Sequence, residues 1–286
     1  MTLEDKMVWR VGTRLLSAGP SPLLWGVVNV TPDSFSDGGR FFDTEAAVRH
    51  GLQLVEDGAA VLDVGGESSR PGAEPVPVEE ELRRVLPVLR ELRARLDVPL
   101  SIDTTKAAVA RAALQAGADI VNDISGLRFD PDMLPLLAGS SCGVVLMHMQ
   151  GEPRTMQTSP HYDDVVREVR DWLARRQEEI VAAGIAPERL VLDPGLGFGK
   201  RYSDNLELLR HLRSLVSRPL LVGASRKAFL GWLLAEPEPL ARQEGDLAVH
   251  AWCRRQGVAF LRVHDVRATR RLFRVLEALE DSEGNP

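Results

Sequence analysis

Residues 26–39 read Gly26-Val27-Val28-Asn29-Val30-Thr31-Pro32-Asp33-Ser34-Phe35-Ser36-Asp37-Gly38-Gly39. A short apolar run over 23–28 ends in an amide of the kind found buried, Asn29. The residues beyond it cannot be strand, because Thr-Pro-Asp, Ser, Asp and two glycines interrupt any regular pairing. A strand that opens into a long polar, glycine-rich loop is where α/β enzymes keep their chemistry. The loop carries carboxylates, hydroxyls and one aromatic, Phe35. An aromatic in such a loop suggests a lid over a flat ligand, and the plain alternative is a surface loop with a stray Phe.

The same alternation runs along the whole chain. Apolar runs fall near 23–28, 60–64, 98–102, 119–121, 143–147, 189–192, 219–222 and 258–263. Amphipathic stretches separate them over 43–57, 78–96, 105–116, 161–183, 203–216, 240–256 and 265–280, and the fourth connection, 130–138, is short. Eight β/α units predict an α/β protein made of a single (β/α)8 TIM barrel. A doubly wound open sheet usually has fewer strands and a glycine fingerprint after the first, which is missing here. Residues 1–22, centred on Gly12, read as an N-terminal hairpin at the barrel floor. The barrel is expected over 23–280, and the polar tail 281–286 is expected to fray.

Composition excludes several classes. The 286 residues are 44% apolar and 27% charged, ample for one barrel of about 250 residues. A formal net charge of −6 gives no support for nucleic-acid or anionic-membrane binding. No apolar run approaches the ~18 residues of a transmembrane helix, and no basic-then-apolar leader is visible. The two cysteines, Cys142 and Cys253, lack metal or redox spacing, so reduced structural thiols in a cytoplasmic protein are expected. Only four lysines stand against thirty-one arginines, and Lys106, Lys200 and Lys227 lie in or beside Gly, Ser or Asp motifs. Such placement suits sites that need a compact ammonium, chance placement being the other reading.

Nearly every strand ends in polar residues: Asn29, Asp63 with Glu67, Asp103, Asn122 with Asp123, His148, Asp193, Ser225, and Arg262 with His264. Barrel active sites lie at those ends, so the side chains should converge on one mouth. Asp103, Asn122 and Asp193 suit a ring carrying several N–H groups, since a carboxylate accepts two bonds side by side and an amide both donates and accepts. A structural polar network and a carboxylate metal site are the other readings, and Asp103-Thr104-Thr105-Lys106 also resembles a helix N-cap. Arg262 and His264 are two apart, point the same way, and suit an anion. Ser225-Arg226-Lys227 opens a helix, where free N–H groups attract anions. A Schiff-base role for Lys227 would favour a lysine on the strand itself. The glycines of Gly195-Leu196-Gly197-Phe198-Gly199-Lys200 match neither the P-loop nor the dinucleotide spacing, and are expected to let the backbone approach a ligand. Met147 and Met149 read as core or as a wall of the ring pocket.

These motifs, together with Gly65-Gly66-Glu67-Ser68-Ser69-Arg70-Pro71-Gly72, Asp193-Pro194-Gly195 and Arg262-Val263-His264-Asp265, closely resemble dihydropteroate synthase, from about Leu24 to Arg271 and in family order. The resemblance implies a folate-pathway transferase, targeted by sulfonamides, that joins 6-hydroxymethyl-7,8-dihydropterin diphosphate to p-aminobenzoate and releases pyrophosphate. It places the pterin on Asp103, Asn122, Asp193, Lys227, Met147 and Gly223. It places pyrophosphate on Asn29, Ser69, Arg70, Arg262 and His264, and p-aminobenzoate on Phe35, Ser69, Pro71, Phe198 and Lys227. It assigns catalysis to Asp103, Lys227, Arg262 and His264. It implies Mg²⁺ as cofactor on Asn29, with Asp33 a weaker assistant, and a homodimer. Ser69 departs from the family's threonine, keeping the hydroxyl and losing a methyl. A pterin-dependent methyltransferase would share the Asp/Asn cradle without needing a pyrophosphate site or a closing Phe loop. A non-catalytic pterin-binding barrel would be expected to have lost charged motifs that are intact here.

Overall fold

The computed structural model describes residues 8–31, 39–70, 72–215 and 217–281, with the backbone alone for 39–43. Phe35, Asp33, Asp37 and Pro71 therefore lie outside the described residues, as do 1–7 of the expected hairpin and 282–286 of the tail.

The eight apolar runs become eight parallel strands: β3 (Leu23–Asn29), β4 (Val61–Gly65), β5 (Leu100–Asp103), β6 (Ile120–Asp123), β7 (Gly143–Met147), β8 (Leu190–Asp193), β9 (Leu221–Val222) and β10 (Phe260–Val263). They pair in the order β8-β7-β6-β5-β4-β3-β10-β9, and a parallel bridge between Leu192 and Leu220 joins the two ends into a barrel. Two shorter strands precede them, β1 (Val8–Val11) and β2 (Arg14–Ser17), paired antiparallel as the expected hairpin.

Helices cover the outside: α1 (Gly39–Glu56), α2 (Val78–Arg95), α3 (Ala107–Gln115), α4 (Met133–Ala138), α5 (Val165–Ala182), α6 (Tyr202–Arg210), α7 (Ala228–Leu234), α8 (Gln243–Arg255) and α9 (Val266–Glu280). Local chemistry fixes several ends. Asp164 caps α5 by accepting from the Arg167 amide at 3.0 Å, and Asp265 caps α9 by accepting from Ala268 at 2.8 Å. Glu79, Glu80 and Glu81 open α2 while Arg93 and Arg95 close it, each charge opposing the helix dipole. The helix expected over 203–216 stops at Arg210 and continues as a 3-10 turn, Leu212–Leu215. His211 Nδ1 lies 3.0 Å from the Glu207 carbonyl and Ser214 Oγ donates to the His211 carbonyl at 2.7 Å, so side chains compete for the backbone where the helix ends.

Strand alternation divides the barrel interior into two layers. Trp25, Val61, Ile120, Val145, Val191, Leu221 and Phe260 face inward at the lower level and are all buried. Trp9 and Val11 of the hairpin close this layer from below, with Trp9 stacked on Trp25 at 5.5 Å and edge-on to Phe260 at 5.4 Å. The Trp9 indole N–H donates to the Arg189 carbonyl at 2.7 Å, so its polar edge is satisfied as its rings fill the floor. The alternate residues, Leu62, Val64, Ile102, Val121, Val144, Leu192 and Leu261, face the helices and form the main core. Cys142 and Cys253 are buried and unpaired. No described helix is long and apolar enough to cross a membrane.

Candidate active site

Two residues above the floor, most inward positions turn polar or charged, Met147 being the exception. Val61 gives way to Asp63, Ser101 to Asp103, Ile120 to Asn122, Val145 to Met147, Val191 to Asp193, and Phe260 to Arg262. Register aligns several of them, with Asp103 opposite Asn122 and Met147 opposite Asp193. Period two on a closed barrel thus brings scattered residues to one mouth.

Arg262 organises the β4–β5 side. Its Nε donates to Asp63 at 2.6 Å and its Nη2 to Asp103 at 2.9 Å. Asn122 Nδ2 also donates to Asp63, at 3.1 Å. Asp63 is wholly buried and one of its oxygens, Oδ1, has no partner. Burial pushes the Asp103 carboxyl up to about 7, with Arg262 opposing that rise and the Asp63 charge adding to it. The amide of Asn122 and the carboxylates form a cradle for donor-rich ligands.

Asp193 faces this group across the barrel. It accepts from the Gly195 amide at 2.7 Å, and burial raises its pKa against the pull of Lys227. Lys227, the N-cap of α7, donates to the Leu196 carbonyl and stands 4.8 Å over the Phe198 ring. Burial lowers its ammonium to about 8. Phe198 joins Ile124, Met147, Met149 and Met156 in a small apolar cluster beside Asp193, so both methionines pack as core and Met147 also occupies an inward strand position. Added at Gly223, a Cβ would meet Arg262 Cβ at 3.6 Å, placing this glycine against the Arg262 stem.

His264 marks the anion side. Its Nδ1 is buried without a partner, and its pKa falls to about 3 through burial and then the charges of Arg226, Arg262, Arg70 and Lys227. A neutral imidazole in the field of four cations favours an anion, which would relieve their mutual repulsion. Arg70, exposed in the loop after β4, makes no ion pair among the described residues. Ser69 is half-buried in the same loop. The loop's base is tied down by Glu67, which accepts from Lys106 at 2.5 Å and from the Val76 amide at 2.8 Å, while buried Glu81 holds Lys106 at 2.6 Å. Asn29 stands half-buried at the end of β3, opposite Gly65.

Two expectations change. Asp103 does not cap α3: Thr104 Oγ1 accepts from Lys106 N at 3.2 Å, Asp130 accepts from Ala107 N at 2.8 Å, and Asp103 is spent on Arg262. The glycines after β8 serve the protein's own backbone. A Cβ on Gly195 would lie 1.9 Å from the His148 carbonyl oxygen, and one on Gly199 2.2 Å from that of Gln150, both at positive φ. Gly197 lies against Lys227, whose Cδ is 3.1 Å from the built atom, and Gly195 also approaches Met147 Cγ at 3.3 Å.

Sequence reasoning gave no role to three residues that the fold brings in. Asp63 was visible as a polar strand end, but its pairing with Arg262 spans 199 positions. Lys200 was visible only as a rare lysine. It is fully buried, donates to the carbonyls of Phe198 at 3.1 Å and His148 at 3.4 Å, and lies 3.0 Å from His148 Nδ1. Burial lowers its pKa to about 7. In the sequence Arg226 is only part of a helix start. Among the described residues no group of three or more His, Cys, Asp or Glu side chains could hold a metal. The single amide oxygen of Asn29 suits a hard cation that brings its other oxygen ligands with it.

Comparison with known proteins agrees with this geometry. Residues 25–264 match the family profile described as pterin binding enzyme. The chain is 44% identical over 271 residues to the dihydropteroate synthase of Synechocystis sp., covering 94% of each. The solved dihydropteroate synthase of Xanthomonas albilineans with 4-aminobenzoic acid superposes with a TM-score of 0.90 at 47% identity, covering 96% of this chain and 99% of that one. The same enzyme in complex with 7,8-dihydropteroate gives 0.86 at 45% identity, with coverage of 96% and 99%. A closed barrel with a carboxylate–amide cradle and a cationic rim at one mouth, matched over nearly its full length, places the chain in the pterin binding enzyme family, among the dihydropteroate synthases.

Proposed function

We propose that this chain, as a dihydropteroate synthase, joins 6-hydroxymethyl-7,8-dihydropterin diphosphate to p-aminobenzoate by a dissociative path. The observation that carries the reading is the charge arrangement at one mouth: a carboxylate–amide cradle on Asp63, Asp103, Asn122 and Asp193, a cationic rim of Arg70 and Arg226 around neutral His264, and Arg262 bonded to Asp63 and Asp103 between them. A pterin diphosphate has the same polarity, with N–H donors at one end and anionic oxygens at the other. The xanthomonad neighbours with 4-aminobenzoic acid and with 7,8-dihydropteroate support the substrate classes.

Asp193 and Asn122 grip the amino-pyrimidine edge, with Lys227 and Met147 beside it and Gly223 leaving room. Arg262, His264, Arg70, Ser69 and Asn29 receive the diphosphate. The bond between the pterin methylene and the diphosphate oxygen breaks, the electron pair leaves with pyrophosphate, and Asp103 offsets the positive charge on the pterin. The neutral aniline nitrogen then attacks the methylene and sheds its proton afterwards. Phe198 and Lys227 form one wall for p-aminobenzoate, and Phe35, Ser69 and Pro71 on the loops 31–40 and 67–73 supply the rest. Mg²⁺, carried in by the diphosphate and held on Asn29, with Asp33 a weaker assistant, would neutralise the leaving group.

Around this chemistry we propose one barrel over 23–280 with the 1–22 extension beneath it and 281–286 as a tail, in a cytoplasmic homodimer. Trp232, Leu233 and Leu234 of α7 and Leu240 beyond it, each at least 43% exposed, support an apolar contact between copies.

Pyrophosphate release from the dihydropterin diphosphate tests the reading. Release that rises with p-aminobenzoate and yields dihydropteroate is expected, and p-aminobenzoate binding alone is expected to be weak until pterin and pyrophosphate are present. Equal aminobenzoate affinity with and without them would refute the dissociative order.

A further inference from the structure

Arg226 is one of three non-glycine residues with positive φ among the described residues, at +62°. Side chains adopt this left-handed conformation only when their surroundings hold them there, and such residues gather at functional sites. Arg226 is held from both sides of its peptide. Its amide N–H donates to Asp246 Oδ1 at 2.8 Å, and its carbonyl accepts from Arg242 Nη1 at 2.9 Å. The second oxygen of Asp246 accepts from Ser225 Oγ at 2.7 Å, so one carboxylate fixes two consecutive residues.

Both anchors are themselves immobilised away from the site. Asp246 lies in the first turn of α8 and is 6% exposed, and Arg242 immediately precedes that helix at 7%. Arg242 also donates to the carbonyls of Glu236 at 3.0 Å and Pro237 at 2.5 Å, in the connection after α7. Gly231 of α7 makes room for it, since a Cβ there would sit 2.6 Å from the guanidinium carbon. Ser225, the residue before Arg226, accepts from the His264 amide at 3.5 Å, so the strand end that carries Arg226 lies against His264, and the Arg226 charge lowers the His264 pKa after burial does.

We infer that Asp246 and Arg242 are positioning residues that hold Arg226 in its left-handed conformation and thereby aim its guanidinium at the diphosphate subsite beside His264. The inference rests on the pyrophosphate reading of that subsite. Their bonds reach the site only through Ser225 and Arg226. Without the carboxylate, the Arg226 peptide relaxes to negative φ, and the direction of its side chain changes with it.

The test measures inhibition by inorganic pyrophosphate, the KM for the pterin diphosphate, and the Kd of the unphosphorylated hydroxymethyl pterin. Asp246→Ala is expected to raise the pyrophosphate Ki and the diphosphate KM at least fivefold while leaving the pterin Kd within twofold. Arg242→Met, which removes the other anchor, should move the same two constants in the same direction. Asp246→Asn, whose side-chain oxygen still accepts from the Arg226 amide, should recover most of the loss. In an Arg226→Gln background, Asp246→Ala should add nothing further. A wild-type pyrophosphate Ki in folded Asp246→Ala or Arg242→Met, or additive effects with Arg226→Gln, would overturn the inference. So would equal losses of pterin and pyrophosphate affinity. Pyrophosphate that fails to inhibit the wild-type enzyme would instead overturn the reading of the subsite.

Discussion

Replacing Arg262 by methionine keeps most of the stem volume and removes the one cation between two carboxylates. Its side chain is 24% exposed, against 0% for Asp63 and 14% for Asp103, so solvent replaces little of what is lost. Stranding a buried partner in this way costs about 3–5 kcal/mol. For a chain of 286 residues the unfolding entropy is about 0.6 kcal/mol per degree, so Tm should fall by about 5–8 °C at alkaline pH. The loss should depend on pH with a definite sign. Asp103 already titrates near 7 in the folded protein, above the ordinary 3.8, so between those values the native state holds a proton that the unfolded chain has released. This group's contribution therefore falls as pH rises through that window. Without Arg262 the folded Asp103 carboxyl moves higher still, and the variant's deficit should be largest above about pH 8. At about pH 5.5 Asp103 is protonated, and the deficit should shrink to about half. Chemical denaturation of both proteins at the two pH values measures it. An equal deficit at both would mean that lost packing, not unpaired charge, sets the cost.

The same geometry sets other outcomes. Asp193→Asn puts an amide donor where the pterin's own donors need an acceptor, and calorimetry should show pterin binding weakened by about 2–3 kcal/mol, roughly 30- to 150-fold. Gly199→Ala forces a Cβ to 2.2 Å from the Gln150 carbonyl at φ +61°, and should cost well over about 2 kcal/mol in denaturation. Gly12→Ala, at φ +59° with nothing within 4 Å, should cost only about 1 kcal/mol. Because burial lowers Lys227 to about 8, its charge is lost as pH rises through that value. The KM for p-aminobenzoate should therefore climb between about pH 7 and 9, and Lys227→Met should flatten that climb.

The sequence by itself determined the architecture and which polar residues end the strands. Eight apolar runs separated by amphipathic stretches can bury both faces of their strands only with helices outside and a filled interior, and the barrel does this. Asn29, Asp103, Asn122, Asp193, Arg262 and His264 were legible because polar groups ending apolar strands must share one end of a parallel barrel. Whom each side chain meets was decided only by the tertiary structure. Arg262 meets Asp63 and Asp103 through barrel closure, across 199 and 159 positions, and no local pattern encodes a partner that distant. Gly195 and Gly199 looked like ligand-facing glycines until the β7–β8 register laid them on the carbonyls of His148 and Gln150. The conformation of Arg226 depends on a carboxylate twenty residues later, on a helix whose docking sets where that carboxylate points. Periodicity is a property of neighbours along the chain and survives in the sequence, whereas charge pairing and close approach depend on how strands close and helices dock.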